Sequence, residues 1–279
     1  MISLTAPRMG RIAIWAILAL LIIGFYRVYS LSLHPTQFLS GWFLLASFCA
    51  LVLFNVRKKL PFLHLGTSTT WLRLHIAIGL LTVMLFSLHI DLRVPDGILE
   101  VTLSLVYLTV AASGILGVGL SRYFPKQLTA RGNEVIFEQI PSLRKRLREK
   151  FEELVVRTAS DPNSTTIADF STRRLIATRL LPFFYGPKNF LWHLIGSNRT
   201  IQTLLTLLRS QDRYLDTHER QIAEEIRKLI QAKDDLDYHY AHQAMLKFWL
   251  FIHIPLTFSL LILSLVHAVL VGTFGASVL

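Results

Sequence analysis

The chain has 279 residues, 52% of them hydrophobic, a mean hydropathy of +0.47 and a formal net charge of +11. So apolar a composition excludes an ordinary soluble domain and points to several helices in a membrane. The single cysteine, Cys49, excludes an internal disulfide, covalent haem attachment through C-x-x-C-H, and cysteine-held zinc or iron–sulfur centres.

Crossing a bilayer takes about 20 helical residues, and five stretches qualify: residues 12–32, 38–56, 71–93, 97–120 and 245–274. The first, preceded by Arg8 and Arg11, has the charge pattern of a secretory signal, but no small-x-small cleavage site follows it. It is read as a retained span. A short loop with His34 and Pro35 leads into the second span. Arg57, Lys58 and Lys59 follow, and Pro61 and Gly66 punctuate the next loop. The third span carries His75 and His89, and Pro95 and Gly97 turn the chain back into the fourth. No G-x-G-x-x-G follows a candidate strand, so no flavin or nicotinamide domain is expected.

Residues 121–243 form one long connection, too long to be structureless and expected to be a small helical domain. Residues 142–157 and 200–230 have the apolar spacing of amphipathic helices. Between them, 180–196 contains Phe183, Phe184, Tyr185, Phe190 and Trp192, interrupted by Pro182 and Pro187. That aromatic stretch is expected at the lipid headgroups or against the membrane helices. Residues 161–166 read as a surface turn.

The net charge is not a nucleic-acid signal, since no recognition module accompanies it. Of the 29 Lys and Arg, 20 lie in residues 121–243, together with 15 of the 18 Asp and Glu. Basic residues mark the cytoplasmic side. Arg8, Arg11, Arg57–Lys59 and the long connection share one side when the N-terminus is inside and the C-terminus outside. Asp91, Asp96 and Glu100 then face out, with Arg27 and Arg93 at the edges.

Two histidine pairs, His75/His89 and His253/His267, share the spacing H-x13-H, each within an apolar span. Fourteen residues at 100° each place the two rings about 40° apart around a helix and about 21 Å apart along it. The third and fifth spans run parallel in this topology. His75 therefore pairs with His253 near the cytoplasm, and His89 with His267 near the outside. Neutral imidazole binds iron without placing a fixed charge in lipid. Two stacked bis-imidazole sites are the arrangement for two non-covalent b haems, which makes the four histidines the candidate metal ligands.

Arg73 and Lys247 at the inner end, and Arg93 at the outer end, are candidates to meet haem propionates; snorkelling to the interface is the other reading for the first two. Gly79, Gly114 and Gly117 are read either as clearance for a planar cofactor or as helix-packing positions. Pro255 would free a carbonyl near His253 and bend its helix. His34, His64, His193, His218, His239 and His242 are taken as surface residues; His239 with His64 or His242 is a weaker candidate for a third cofactor.

These two H-x13-H pairs on alternate helices resemble the di-haem cytochrome b superfamily, which includes quinol-oxidising cytochromes b and the ferric reductase/NADPH oxidase membrane domain. The resemblance covers roughly residues 37–120 and 241–275. It implies a four-helix core built from spans two to five, with ligands on the second and fourth helices of that core. No flavin or nicotinamide domain and no quinol-pocket motif accompany it here, and the insertion before the last span is unusual for either branch.

The expected fold is an all-α membrane protein: five transmembrane helices, a four-helix haem-binding core and a helical cytoplasmic insertion. Residues 1–120 hold spans one to four, 121–243 the insertion, and 244–279 the last span. The expected function is a cytochrome b subunit of an oxidoreductase complex in a bacterial inner membrane, N-terminus cytoplasmic and C-terminus periplasmic. Its partners would be a quinol or a cytoplasmic flavoprotein or iron–sulfur protein on one side, and a c-type cytochrome on the other. A histidine-lined metal or proton transporter, and a membrane anchor for residues 121–243, are the rival readings.

Overall fold

A computed structural model describes residues 36–59, 67–130, 135–159 and 176–274, with residues 20, 22–24 and 28 ahead of them. The described residues contain no strand. The main helices are α1 (Thr36–Lys59), α2 (Ser68–His89), α3 (Ile98–Ala130), α4 (Ile140–Ala159), α5 (Leu181–Phe184), α6 (Phe190–Leu194), α7 (Arg199–Gln211) and α8 (Thr217–Phe274). Among the described residues, four helices are long and apolar enough to cross a membrane: α1, α2, α3 and α8. They correspond to the second to fifth expected spans, except that α2 ends at His89 rather than Arg93 and α3 starts at Ile98 and runs on to Ala130. The first, residues 12–32, lies largely outside the described residues, as do His34, His64 and residues 161–166.

The chain divides into two compact units, Met1–Val118 with Trp249–Leu279, and Gly119–Phe248. In the first unit the apolar residues are shared between a small core and a large outward face. Leu44, Phe48, Leu85, Tyr107 and Leu260 are buried together, whereas Trp42, Leu80, Phe251 and Ile262 are exposed. Exposed apolar side chains suit helices whose solvent is hydrocarbon, where helix pairs pack through small and polar contacts. Tyr107 supplies such a contact. Its ring stacks on Phe86 at 4.2 Å, and its hydroxyl donates to Thr82 Oγ1 at 3.3 Å. Thr82 Oγ1 donates in turn to the Gly79 carbonyl at 2.7 Å.

The ends of α2 are set locally. Thr67 caps its start, accepting from the Thr70 N–H at 3.3 Å. At the other end Asp91 (φ 51°) and Leu92 (φ 55°) adopt left-handed conformations that stop the helix. His89 is its last residue, so the turn fixes where that imidazole sits.

The second unit packs as a soluble domain does. Phe151 and Phe184 stack at 4.3 Å within a core that includes Leu180, Phe183, Leu204, Leu208, Ile226 and Ile230. The sequence expectation for the aromatic stretch is corrected at these positions. Phe183 and Phe184 are 4% and 1% exposed, because the unit has a hydrophobic centre of its own to fill. The expected helix over residues 200–230 is two helices. Asp216 precedes α8, and Glu219 reaches back to accept its N–H at 3.1 Å, half of a capping box that starts a new helix. From there α8 runs through Pro255 without interruption.

Surface placement is also corrected for His193, His239 and His242, which are 2%, 2% and 1% exposed. His242 Nδ1 meets the Tyr238 carbonyl at 2.9 Å, and its ring lies edge-on to Phe124 at 4.8 Å. His193 Nε2 is 3.5 Å from Asp234. His242 has a backbone acceptor and His193 a carboxylate neighbour, contacts between elements that an apolar periodicity does not register. His218 is exposed, as expected.

An ion cluster is buried in the same unit. Lys233 bonds to Asp237 and donates to the Gly186 carbonyl at 2.9 Å. Asp237 also accepts the Lys188 N–H at 3.0 Å and lies 3.2 Å from Arg144. Removing one member of such a cluster leaves uncompensated charge in a low dielectric, so Asp237→Ala should destabilise the protein by about 3–5 kcal/mol. Disrupting the exposed Lys145–Glu149 pair, at 3.8 Å, should cost less than about 1 kcal/mol. Thermal unfolding of the detergent-solubilised variants checks both; equal shifts would contradict the assignment.

Candidate haem-binding site

His89 projects from the last turn of α2 against the start of α1. Its Nδ1 lies 3.1 Å from the Gln37 carbonyl and 3.2 Å from Ser40 Oγ. Ser40 Oγ donates to the same carbonyl at 3.1 Å. A carbonyl can only accept, so Nδ1 carries the proton and Nε2 is left with its lone pair. That tautomer is the one a metal-binding Nε2 requires, with an Nδ1–H bond fixing the ring.

The His267 ring lies 6.3 Å from that of His89, centroid to centroid, at 88° between planes. Imidazole nitrogens bind metals at about 2.0–2.1 Å, and each nitrogen lies about 1.1 Å from its ring centre. Two imidazoles facing each other across one ion, each with a nitrogen aimed at it, would therefore sit about 6.3 Å apart. The two rings line a cavity of about 460 Å³ with Gly41, Tyr107, Ser104 and Glu100, within the ordinary range for cofactor sites. Gly41 is a close approach: a Cβ there would lie 3.0 Å from His89 Cε1. It was not among the glycines that sequence reasoning singled out, since nothing in the spacing relates α1 to α2.

The second pair lies 14 residues away along the helices, in the same unit. His253 Nδ1 is 3.1 Å from Ser113 Oγ, and its ring stacks on Trp249 at 5.1 Å. Trp249 Nε1 donates to the Ser113 carbonyl at 2.9 Å, so Ser113 orients both rings. His75 packs against Phe54 at 5.1 Å, and His253 is near enough to interact with it electrostatically. The His75 Nδ1 is buried beside the Leu51 backbone, outside ordinary hydrogen-bond geometry. Each histidine thus has its sequence-expected partner as a neighbour.

The three candidate cations are placed differently. Arg93 lines the cavity that His89 and His267 share, 3.5 Å from Asp91, with its side chain 83% exposed. Arg73 is exposed on the second turn of α2 and can reach solvent or headgroups. Lys247 has its own partners in the second unit. It donates to Glu138 at 2.6 Å and lies over the Phe137 ring at 3.9 Å, and this hydrogen bond holds Glu138 below the usual carboxylate range.

The glycines divide likewise. A Cβ at Gly79 would meet nothing within 4 Å, one at Gly114 would lie 3.8 Å from His253 Cε1, and one at Gly117 would overlap the Trp249 indole. Gly117 therefore serves packing against Trp249, and Gly114 borders a candidate ligand. Among the described residues, no group of three or more His, Cys, Asp or Glu could hold a metal ion. Each pair offers two imidazoles, the donor set that suits an ion already held by a macrocycle.

Comparison of the chain with protein-family models, with curated proteins and with solved structures gave no match.

Overpacking a tight helix contact costs about 1–3 kcal/mol. Gly117→Ala should therefore lower thermal stability, and adding Trp249→Leu should recover part of the loss. An unchanged melting temperature in Gly117→Ala would show that Trp249 does not pack there.

Proposed function

We propose that this chain is an integral membrane di-haem cytochrome b subunit that passes electrons across a bacterial inner membrane. The observation that carries the reading is the 6.3 Å separation of the His89 and His267 rings, with His89 Nδ1 hydrogen-bonded so that Nε2 is free to bind a metal. His89 with His267, and His75 with His253, would hold one non-covalent b haem each. Each haem, when bound, supplies a one-electron iron couple; bis-histidine ligation leaves the iron no open position for substrate.

The chain's own residues do the rest. Gln37 and Ser40 hold the His89 tautomer, Ser113 and Trp249 orient His253, and the apolar helices exclude water, which tunes potential. Arg93, which lines the cavity, would meet an outer propionate, with Arg73 serving the inner side. Donors on the cytoplasmic side would be a quinol, a flavoprotein or an iron–sulfur protein, and the outer acceptor a c-type cytochrome; the reverse direction uses the same ligands. The distribution of Lys and Arg supports a cytoplasmic N-terminus and insertion with a periplasmic C-terminus.

The purified protein should contain two low-spin b haems per chain. His89→Ala and His267→Ala should remove one and the same spectral component, and His75→Ala and His253→Ala the other. Potentiometric titration followed at the α band reads this directly. Protein without a b-type α band, or His75→Ala abolishing the component lost in His267→Ala, would contradict the reading.

Orientation is checked in a Cys49→Ser background. Ser142→Cys should react with an impermeant thiol reagent only from the cytoplasmic face, and Asp96→Cys only from the outer face. The opposite labelling would invert the topology.

A further inference from the structure

Residues 170–211 contain six Lys and Arg and no Asp or Glu, in an insertion that is otherwise rich in acids. Four of the six, Arg179, Lys188, Arg199 and Arg209, lie among the described residues, and all four are exposed. At the centre of this stretch α6 divides its side chains between two directions. His193 is 2% exposed, and its ring is 5.9 Å from Tyr238. Phe190 lies edge-on to Tyr240 at 6.5 Å. Leu191, Trp192 and Ile195 point the other way and are 69%, 52% and 74% exposed.

The exposed trio is held from behind. The Gly186 carbonyl accepts from Lys233 at 2.9 Å, and the Lys188 N–H donates to Asp237 at 3.0 Å. Gly186 (φ 86°), Asn189 (φ 59°) and Gly196 (φ 76°) take left-handed conformations at the bends. The buried ion cluster thus anchors the loop that presents three large apolar side chains between two exposed cations, Lys188 and Arg199.

We propose that this tip is a membrane-contact element that docks on an anionic lipid surface. Trp favours the headgroup level and flanking Leu and Ile the acyl boundary, while Lys and Arg are attracted to anionic headgroups. An apolar tip carried on an acid-free, cation-rich stretch of chain is complementary to that surface. The insertion is joined at both ends to helices of membrane-crossing length, so such a surface is present at high effective concentration.

The test uses the full-length protein with Cys49→Ser, carrying Ile195→Cys or Leu191→Cys labelled with an environment-sensitive fluorophore. It is placed in nanodiscs of phosphatidylcholine alone or mixed with phosphatidylglycerol. In the mixed discs the label should blue-shift and be quenched by headgroup spin-labelled lipid, whereas a label at Arg220→Cys should not. Lys188→Glu and Arg199→Glu should each lower the docked-to-free ratio about fivefold or more. A water-like, unquenched label in both discs would overturn the proposal, as would quenching indifferent to lipid charge. Shielding that follows protein concentration or an added protein rather than lipid would assign the tip to a protein partner and overturn it too. None of these readouts depends on haem content.

Discussion

A ring nitrogen in a membrane helix is costly to leave without a partner, because hydrocarbon offers no water to supply one. At His89 one nitrogen is settled by the Gln37 carbonyl. The consequence reaches outward from that bond. With the proton fixed on Nδ1, the second nitrogen is a lone pair in an apolar setting, and it needs either a donor or a metal. Gly41 lets the ring come this close to α1, since a Cβ there would lie 3.0 Å from His89 Cε1 and push the ring aside by a few tenths of an ångström. The left-handed turn at Asp91 and Leu92 ends α2 immediately after His89, so the imidazole and its anchor are fixed by neighbouring backbone features.

The two units answer the same chain composition in different ways. In the first, small buried contacts such as the Tyr107–Thr82–Gly79 relay position helices whose apolar faces remain outward. In the second, the apolar residues turn inward around Phe151 and Phe184, and Lys233 and Asp237 are buried as a bonded pair beside Arg144. That cluster does more than fill space. By bonding to the backbone at Gly186 and Lys188 it fixes the loop from which Leu191, Trp192 and Ile195 emerge.

The long apolar stretches and the repeated histidine spacing were legible because both depend on composition and helical period. Those two features are local, and they anticipated α1, α2, the start of α3 and the end of α8. Beyond the histidine pairs themselves, partners across helices were not legible. Gln37, Ser40, Gly41 and Ser113 touch the histidines through tertiary placement, and no spacing rule marks them. Three histidines read as surface residues are buried because the second unit supplies them with Tyr238, Phe124 and Asp234 as neighbours. The break between α7 and α8 was visible in principle, as Asp216 followed three residues later by Glu219, but continuous amphipathic spacing on both sides masked it. Among the aromatics, Phe183 and Phe184 went to the core while Trp192 stayed out, a division that only three-dimensional packing decides.

The central claim is that the space between His89 and His267 belongs to a planar iron cofactor. A cryo-electron microscopy map of the protein purified from haem-replete cells tests it most directly. The account predicts a flat density between the two rings, with a central peak in line with both imidazoles and an edge directed toward Arg93. Side chains closed on one another in that space, with His89 and His267 hydrogen-bonded directly or through water, would contradict it.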